Sequence, residues 1–111
     1  MRNSPAATAH LDLDRAQGAY RIRPRGRPPS WTPTAVLTDG VRTFIVLPAQ
    51  VARGPAPALF AIGPGGEPQL VNYRQQGGVY VVDKVLDHAQ LKLGKGRRAV
   101  VEIRRLDGTA P

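Results

Sequence analysis

The stretch LVNYRQQGGVYVVDKVLDHAQLKLG, residues 70–94, decides the fold class. It contains three short segments of alternating apolar and polar residues, separated by turns that are rich in glycine and aspartate. In the last segment, residues 89, 91 and 93 are apolar, whereas the intervening Gln90 and Lys92 are polar, which is typical of a half-buried strand. The stretch therefore predicts a β-meander and argues against a helix.

The remaining sequence has the same organisation. A short alternating segment at residues 20–23 is followed by the proline-rich linker 24–33, which cannot form a helix or a central strand because each proline lacks an N–H donor. Asp39-Gly40 favours a tight hairpin. Asp39, Asp83 and Asp87 each lie at a predicted turn or strand end and are interpreted as turn-forming residues. The predicted strands are residues 20–23, 34–38, 43–47, 58–62, 70–73, 79–83, 89–93 and 99–104.

About eight short strands with no convincing helix predict an all-β fold, an antiparallel β-sandwich or a partly open barrel. With 111 residues, 41% of them hydrophobic, the chain has room for one domain. We expect a flexible lead-in at 1–18, a β-sandwich domain at 19–106 and a flexible tail at 107–111. The side chains expected to face the core are Ile22, Val36, Ile45, Leu47, Phe60, Ile62, Val71, Tyr73, Val82, Leu91, Leu93, Val101 and Ile103.

The composition excludes several kinds of site. The chain has no cysteine, so neither a disulfide nor a thiolate metal site can form. His10 and His88 are far apart in the sequence, and neither serine has a base nearby. We therefore expect no catalytic residue, no metal site and no cofactor. No apolar run approaches the roughly 20 residues of a membrane-spanning helix.

The charge is strongly positive and unevenly distributed. The formal net charge is +8, and residues 20–33 contain four arginines and no acid. Pro24-Arg25-Gly26-Arg27-Pro28 matches the core of an AT-hook, in which Arg-Gly-Arg lies in the minor groove of A/T-rich DNA. The same residues also fit an ordinary exposed linker. A DNA-binding module that uses this segment and the basic C-terminal strand is therefore the alternative interpretation of the chain.

Several sequence landmarks occur together and in a fixed order: Tyr20 with Ile22, WTP at 31–33, DGxxTxIxxP at 39–48, PALF at 57–60, LVNYR at 70–74, VDKVLD at 82–87 and LKLG at 91–94. The chain resembles the C-terminal domain of the TrbG/CagX family, outer-membrane core-complex proteins of conjugal transfer and type IV secretion systems. Two positions depart mildly from the family pattern: Thr38 stands where an aspartate is frequent, and Leu37 where an aromatic residue is frequent.

The resemblance implies a β-sandwich that acts as a structural interaction module in the periplasm. Its implied partners are a small outer-membrane lipoprotein of the same system, the membrane-spanning scaffold protein of the core complex, and other copies of itself in a ring. Direct nucleic-acid binding is not expected. The resemblance also implies a signal peptide and an N-terminal domain that this sequence does not include.

The predicted partner-binding residues fall in two groups. Tyr20, Arg21, Ile22 and Arg23 form a first strand that the proline-rich linker leaves loosely tied, so we expect its edge to accept a lipoprotein strand. Trp31, Phe44 and Val46 complete the predicted partner surface. The strand at 43–47 is apolar on both faces and must be covered twice, either by the protein's own loop at 48–57 or by a partner chain.

Overall fold

The computed structural model describes residues 20–52, 54–94 and 99–106. The predicted lead-in at 1–18, with His10, and the tail at 107–111 lie outside these ranges. A 3₁₀ turn covers Ala49–Ala52. The strands of the described residues are β1 (Tyr20–Pro24), β2 (Ala35–Thr38), β3 (Thr43–Val46), β4 (Ala58–Ile62), β5 (Pro68–Leu70), β6 (Tyr73–Gln76), β7 (Val79–Val82), β8 (His88–Leu93) and β9 (Ala99–Arg105).

These strands form two antiparallel sheets packed face to face. One sheet has the order β1-β9-β8-β4-β5 and the other the order β2-β3-β7-β6. The predicted all-β antiparallel sandwich is therefore confirmed, with one strand more than expected in the described ranges. Within those ranges no helix is long and apolar enough to cross a membrane.

The main core lies between the sheets and is built from alternate residues of the facing strands. Tyr80 fills much of it, and its hydroxyl donates a hydrogen bond to the Pro57 carbonyl at 2.7 Å. The Tyr80 ring also stacks on Tyr73, with 4.7 Å between the ring centroids. The other buried side chains of this core are Tyr20, Trp31, Val36, Ile45, Leu47, Val51, Leu59, Val82, Leu86, Ala89, Leu91, Val101 and Ile103.

The hairpin predicted at Asp39-Gly40 is present. It joins β2 to β3, and the Asp39 carboxylate accepts hydrogen bonds from the backbone N–H groups of Val41 and Arg42 at 2.9 and 2.8 Å. These bonds hold the pKa of Asp39 below its ordinary value. Gly40 has φ of 92°, a conformation that residues with a side chain rarely adopt.

The predicted meander at 70–94 is wrong in two respects. The segment expected to be one strand at 70–73 is the end of β5 and the start of β6, which belong to different sheets, and the chain crosses between them at Val71 and Asn72. Within residues 70–94, only β6 and β7 form a hairpin, because β8 crosses back and pairs with β4 and β9. Alternation was correct for β8 itself, where Ala89 and Leu91 face the core.

The predicted orientation of β4 is inverted. Phe60 and Ile62 were expected to face the core, but Leu59 and Ala61 do so, opposite Leu91 and Ala89 of β8. The sequence ALFAI is apolar throughout, so alternation gave no information about which residues point inward. Phe60 lies on the outer face, where the ammonium of Lys92 is 5.3 Å from the ring centroid.

The strand β3 is buried on both faces, as expected. Ile45 faces the main core, whereas Phe44 lies on the opposite face of its sheet, is fully buried, and packs with Val81. Leu37 and Val79, also from the neighbouring strands of this sheet, pack partly buried against this pair. One cover expected for β3 was the loop at 48–57. Val51 of this loop packs in the main core, on the side of Ile45, and not in the cluster that contains Phe44.

Candidate partner-binding edge

The strand β1 lies at one edge of the five-stranded sheet and pairs with β9 along its whole length, from Tyr20 opposite Arg105 to Pro24 opposite Val101. Just beyond β1, the Arg25 N–H donates to the Val100 carbonyl at 3.0 Å in the same register. In an antiparallel ladder, bonded and non-bonded pairs alternate. Arg21 and Arg23 therefore bond to β9, whereas the backbone groups of Tyr20 and Ile22 point away from it.

The opposite side of β9 gives an independent check of this assignment. The Arg105 N–H donates to the Asp87 carbonyl at 2.8 Å, in register with the β8–β9 ladder. By the same alternation, Ile103 bonds to β8, so its backbone groups cannot also bond to Ile22. The N–H and carbonyl of Ile22 thus face the open edge of the sheet.

Pro24 occupies the next outward-facing position of β1. A proline at this position removes a donor that would otherwise be left unpaired, and proline in a sheet is largely restricted to edges of this kind. The other edge strand of the same sheet, β5, begins with Pro68. The outward donors of β1 are therefore confined to Tyr20 and Ile22.

Tyr20 fixes the start of β1 to the main core. Its hydroxyl donates to the Leu86 carbonyl and lies 3.5 Å from the Thr43 hydroxyl oxygen. Thr43 in turn donates to the Lys84 carbonyl at 2.8 Å and accepts from the Leu86 N–H at 3.0 Å. Burial raises the pKa of Tyr20.

This arrangement corrects the expectation that the first strand is loosely tied. The ladder to β9 and the buried Tyr20 hydroxyl hold β1 in place on one side, and only its other side lacks a paired strand among the described residues. The edge is therefore open but ordered, which lowers the entropy cost of adding a strand to it.

The linker after β1 packs against the main core. Thr32 closes a turn, its N–H and hydroxyl both donating to the Pro29 carbonyl, at 3.0 and 2.6 Å. The neighbouring Trp31 is 6% exposed and packs in the main core. The strands β1 and β2, which the linker joins, adjoin one another without forming a ladder.

The outer face of the β1–β9 pair is strongly basic. Arg21 lies directly opposite Arg104, and Arg23 lies opposite Glu102. A groove of about 540 Å³ runs along this face, lined by Arg21, Arg23, Pro24, Arg25, Gly26, Glu102 and Arg104. Like charges placed directly opposite one another destabilise a sheet, so the Arg21–Arg104 pair must be offset by other interactions.

Glu102 is the one acidic residue that lines this groove, and its carboxylate is already engaged. One oxygen lies 2.7 Å from His88 Nε2, and the other accepts from the Gln90 amide at 3.0 Å and from the Arg25 guanidinium. Partial burial acts to raise the pKa of Glu102, but the hydrogen bonds from His88 and Arg25 outweigh it and hold the pKa below its ordinary value.

The predicted partner-binding residues are thus not all on one surface. Tyr20, Arg21, Ile22 and Arg23 lie together on β1, with the two arginines exposed and Tyr20 buried. Trp31 and Phe44 are buried within the domain, and Val46 is half-buried. Arg104 was not among the predicted residues, because only the register of β9 brings it next to Arg21.

The other polar residues considered from the sequence form ion pairs at the surface. Asp83 pairs with Arg74 at 3.2 Å and with Arg42 at 3.7 Å, and Asp87 pairs with Arg105 at 3.3 Å. Among the described residues, the hydrogen-bond partners of both carboxylates are arginines rather than turn amides. No group of three or more His, Cys, Asp or Glu side chains able to hold a metal ion occurs within residues 20–52, 54–94 and 99–106.

Comparison with known proteins agrees with the sequence landmarks. The family model CagX, described as a conjugal transfer protein, matches residues 3–106. The chain is also 36% identical over 76 residues to a probable conjugal transfer protein TrbG of Sinorhizobium fredii (strain NBRC 101917 / NGR234). This match covers 68% of the chain but 28% of the length of that relative. The chain therefore belongs to the CagX family of conjugal transfer proteins.

Proposed function

We propose that this β-sandwich is a structural interaction module of the outer-membrane core complex of a conjugation or type IV secretion system. In this proposal the domain lies in the periplasm and binds a small outer-membrane lipoprotein of the same system. It packs beside the membrane-spanning scaffold protein and other copies of itself in a ring. The family membership supports a role in conjugal transfer, and the geometry of β1 supports the binding mode.

The observation that carries the binding mode is the outward-facing backbone of Ile22. Its N–H and carbonyl lie on the side of β1 that has no paired strand in the described ranges. An extended segment of the lipoprotein can pair with these groups and continue the five-stranded sheet past β1. Side chains of the added strand that point inward would then reach the seam where β1 adjoins β2.

A proline at position 22 tests this binding mode directly. Ile22→Pro removes the outward N–H without removing a bond to β9, so it should abolish or strongly weaken binding while the domain stays folded. Arg21→Pro is unsuitable, because the Arg21 N–H belongs to the β1–β9 ladder. Binding of the mature lipoprotein encoded in the same transfer region can be measured by isothermal titration calorimetry with the 111-residue chain.

Two control variants isolate the effect of the missing amide. Ile22→Val keeps the N–H and a branched apolar side chain, so it should bind like the parent. Gln75→Pro places a proline at an exposed position of the edge strand β6. The Leu47 N–H donates to the Gly78 carbonyl, and the alternation of bonded pairs that starts from this bond and continues across β7 makes the Gln75 amide point outward. Equal binding by Ile22→Pro and both controls would contradict strand addition at β1.

The DNA-binding alternative makes a different prediction. A module of that kind would bind A/T-rich duplex with an affinity that falls steeply as salt increases. One arginine of the AT-hook-like segment, Arg25, is engaged with Glu102, and Pro24 of the same segment is part of β1. The ion pair of Arg25 and the position of Pro24 within β1 favour the interaction module over the DNA-binding alternative.

A further inference from the structure

The basic groove on the outer face of β1 and β9 contains arginines that have no acidic partner among the described residues. Arg21 and Arg23 project from β1 and Arg104 projects from β9, and all three side chains are exposed. Within the described part of the chain, no carboxylate lies within ion-pair distance of these three guanidinium groups. Glu102, the nearest acid in the ladder, is held by Arg25, His88 and Gln90.

This arrangement is unfavourable in the isolated domain. Arg21 and Arg104 face one another directly across the ladder, and like charges in that position repel. The repulsion is removed when an anionic group enters the groove between them. The groove therefore has the charge and the space, about 540 Å³, for acidic side chains from outside the domain.

The position of the groove beside the open edge specifies how those acids must be spaced. Residues of β1 alternate between the two faces, with Arg21 and Arg23 on the outer face and Tyr20 and Ile22 on the core side. A strand added to β1 follows the same alternation, so every second side chain lies beside Arg21 or Arg23. The intervening side chains point towards the apolar seam.

We propose that the outer groove selects a partner strand that carries acidic residues at alternate positions, with apolar residues between them. The acidic side chains pair with Arg21, Arg23 and Arg104, and the apolar side chains pack beside Ile22 at the seam. This inference rests on the proposed strand addition at β1 and adds the sequence pattern of the segment that is recognised.

Three synthetic ten-residue peptides test the pattern. The first alternates Glu with Val or Thr, the second has the same composition with its acidic residues in one block, and the third replaces each Glu by Lys. Binding to the 111-residue chain is measured by fluorescence anisotropy at about 150 mM salt, where non-specific attraction between exposed charges is screened. The alternating acidic peptide should bind at least about tenfold more tightly than either of the others, since the favourable cross-strand pairs are lost in both.

Paired variants of the protein locate the site. Arg21→Gln/Arg23→Gln should weaken binding of the alternating peptide by about five- to tenfold, as two cross-strand charge pairs are lost. Arg42→Gln/Arg74→Gln removes the same charge from the β2–β3 turn and from β6, where both side chains pair with Asp83, and should leave binding unchanged. Arg21→Glu/Arg23→Glu should reverse the preference in favour of the lysine peptide.

The outcomes separate this inference from the proposed function. If the lipoprotein binding that Ile22→Pro abolishes is unaffected by Arg21→Gln/Arg23→Gln, strand addition stands and the acidic pattern is wrong. If the block and alternating peptides bind equally, or inorganic phosphate displaces both, the groove is an anion site without strand register and the inference is overturned. If Ile22→Pro binds the alternating peptide and the lipoprotein normally, both proposals fail.

Discussion

Ile22 lies opposite Ile103 in the β1–β9 ladder, in a pair whose backbone groups do not bond to one another. Because β9 is also paired with β8, the Ile103 backbone bonds on that side and the Ile22 backbone faces the edge. The side chains of the same two residues nevertheless pack together towards the main core. Position 22 thus combines a fixed side chain with a peptide group that is unpaired among the described residues, which is the arrangement that strand addition requires.

Removing the Tyr20 hydroxyl should loosen the start of β1. Tyr20→Phe leaves the buried Leu86 carbonyl without its donor, so we expect a loss of about 1–3 kcal/mol in the free energy of unfolding, measured by urea denaturation. Tyr73→Phe is the matched control, because no hydrogen bond of its hydroxyl occurs among the described residues, and it should cost less than about 0.5 kcal/mol. Equal losses would mean that the Tyr20 bond does not anchor β1.

The orientation of β4 can be tested with two alanine substitutions. Leu59→Ala removes a fully buried side chain and should cost about 2–5 kcal/mol. Phe60→Ala removes a half-buried ring on the outer face and should cost clearly less, although the ring is larger. The same contrast is expected between Leu91→Ala and Lys92→Ala on β8. A larger cost at Phe60 than at Leu59 would restore the orientation expected from the sequence.

Tyr80 should make stability fall at high pH. Burial raises its pKa to about 12, above the ordinary value of 10.0, so the folded state holds the phenolic proton more tightly than the unfolded state. This contribution is complete below about pH 10 and is lost as the pH rises towards about 12. The near-ultraviolet absorbance of tyrosinate should show a late-titrating group that is absent from Tyr80→Phe. A titration that is the same in the variant would exclude this assignment.

The AT-hook-like segment should not give the domain a preference for A/T-rich DNA. Arg25→Ala/Arg27→Ala should fold normally and show the same electrophoretic mobility shifts as the parent at about 150 mM salt, where non-specific binding is weak. Duplexes of A/T-rich and G/C-rich sequence provide the comparison. Sub-micromolar binding of the parent to the A/T-rich duplex, lost in the double variant, would instead support the DNA-binding alternative.

The sequence was sufficient for the fold class and for the general position of the edge. Clear alternation in residues 89–93 and turn residues such as Asp39 and Gly40 reflect local physical constraints, so they could be interpreted without the structure. The first strand was also correctly expected at the edge of a sheet, although it is not loosely tied. Alternation failed in β4, because a strand with apolar residues on both faces contains no signal for its orientation.

Features that depend on distant parts of the chain could not be predicted. The split between β5 and β6 is decided by which sheet each strand joins, and Leu70 is 87% exposed although its residue type favours burial. The register with β9, a strand near the other end of the chain, determines that the Ile22 amide points outward and that Arg21 lies opposite Arg104. The pairing of strands far apart in sequence is a tertiary property that local patterns do not specify.

Amide hydrogen exchange along β1 is the most direct measurement of the central claim, because it reports on single backbone groups. In the free 111-residue chain, the Ile22 amide should exchange fast, whereas the Arg21 and Arg23 amides, bonded to β9, should be protected. Adding the lipoprotein should slow exchange at Ile22 and leave Arg21 and Arg23 little changed. An Ile22 amide that is already protected in the free chain, or that exchanges equally fast in the complex, would contradict strand addition at this edge.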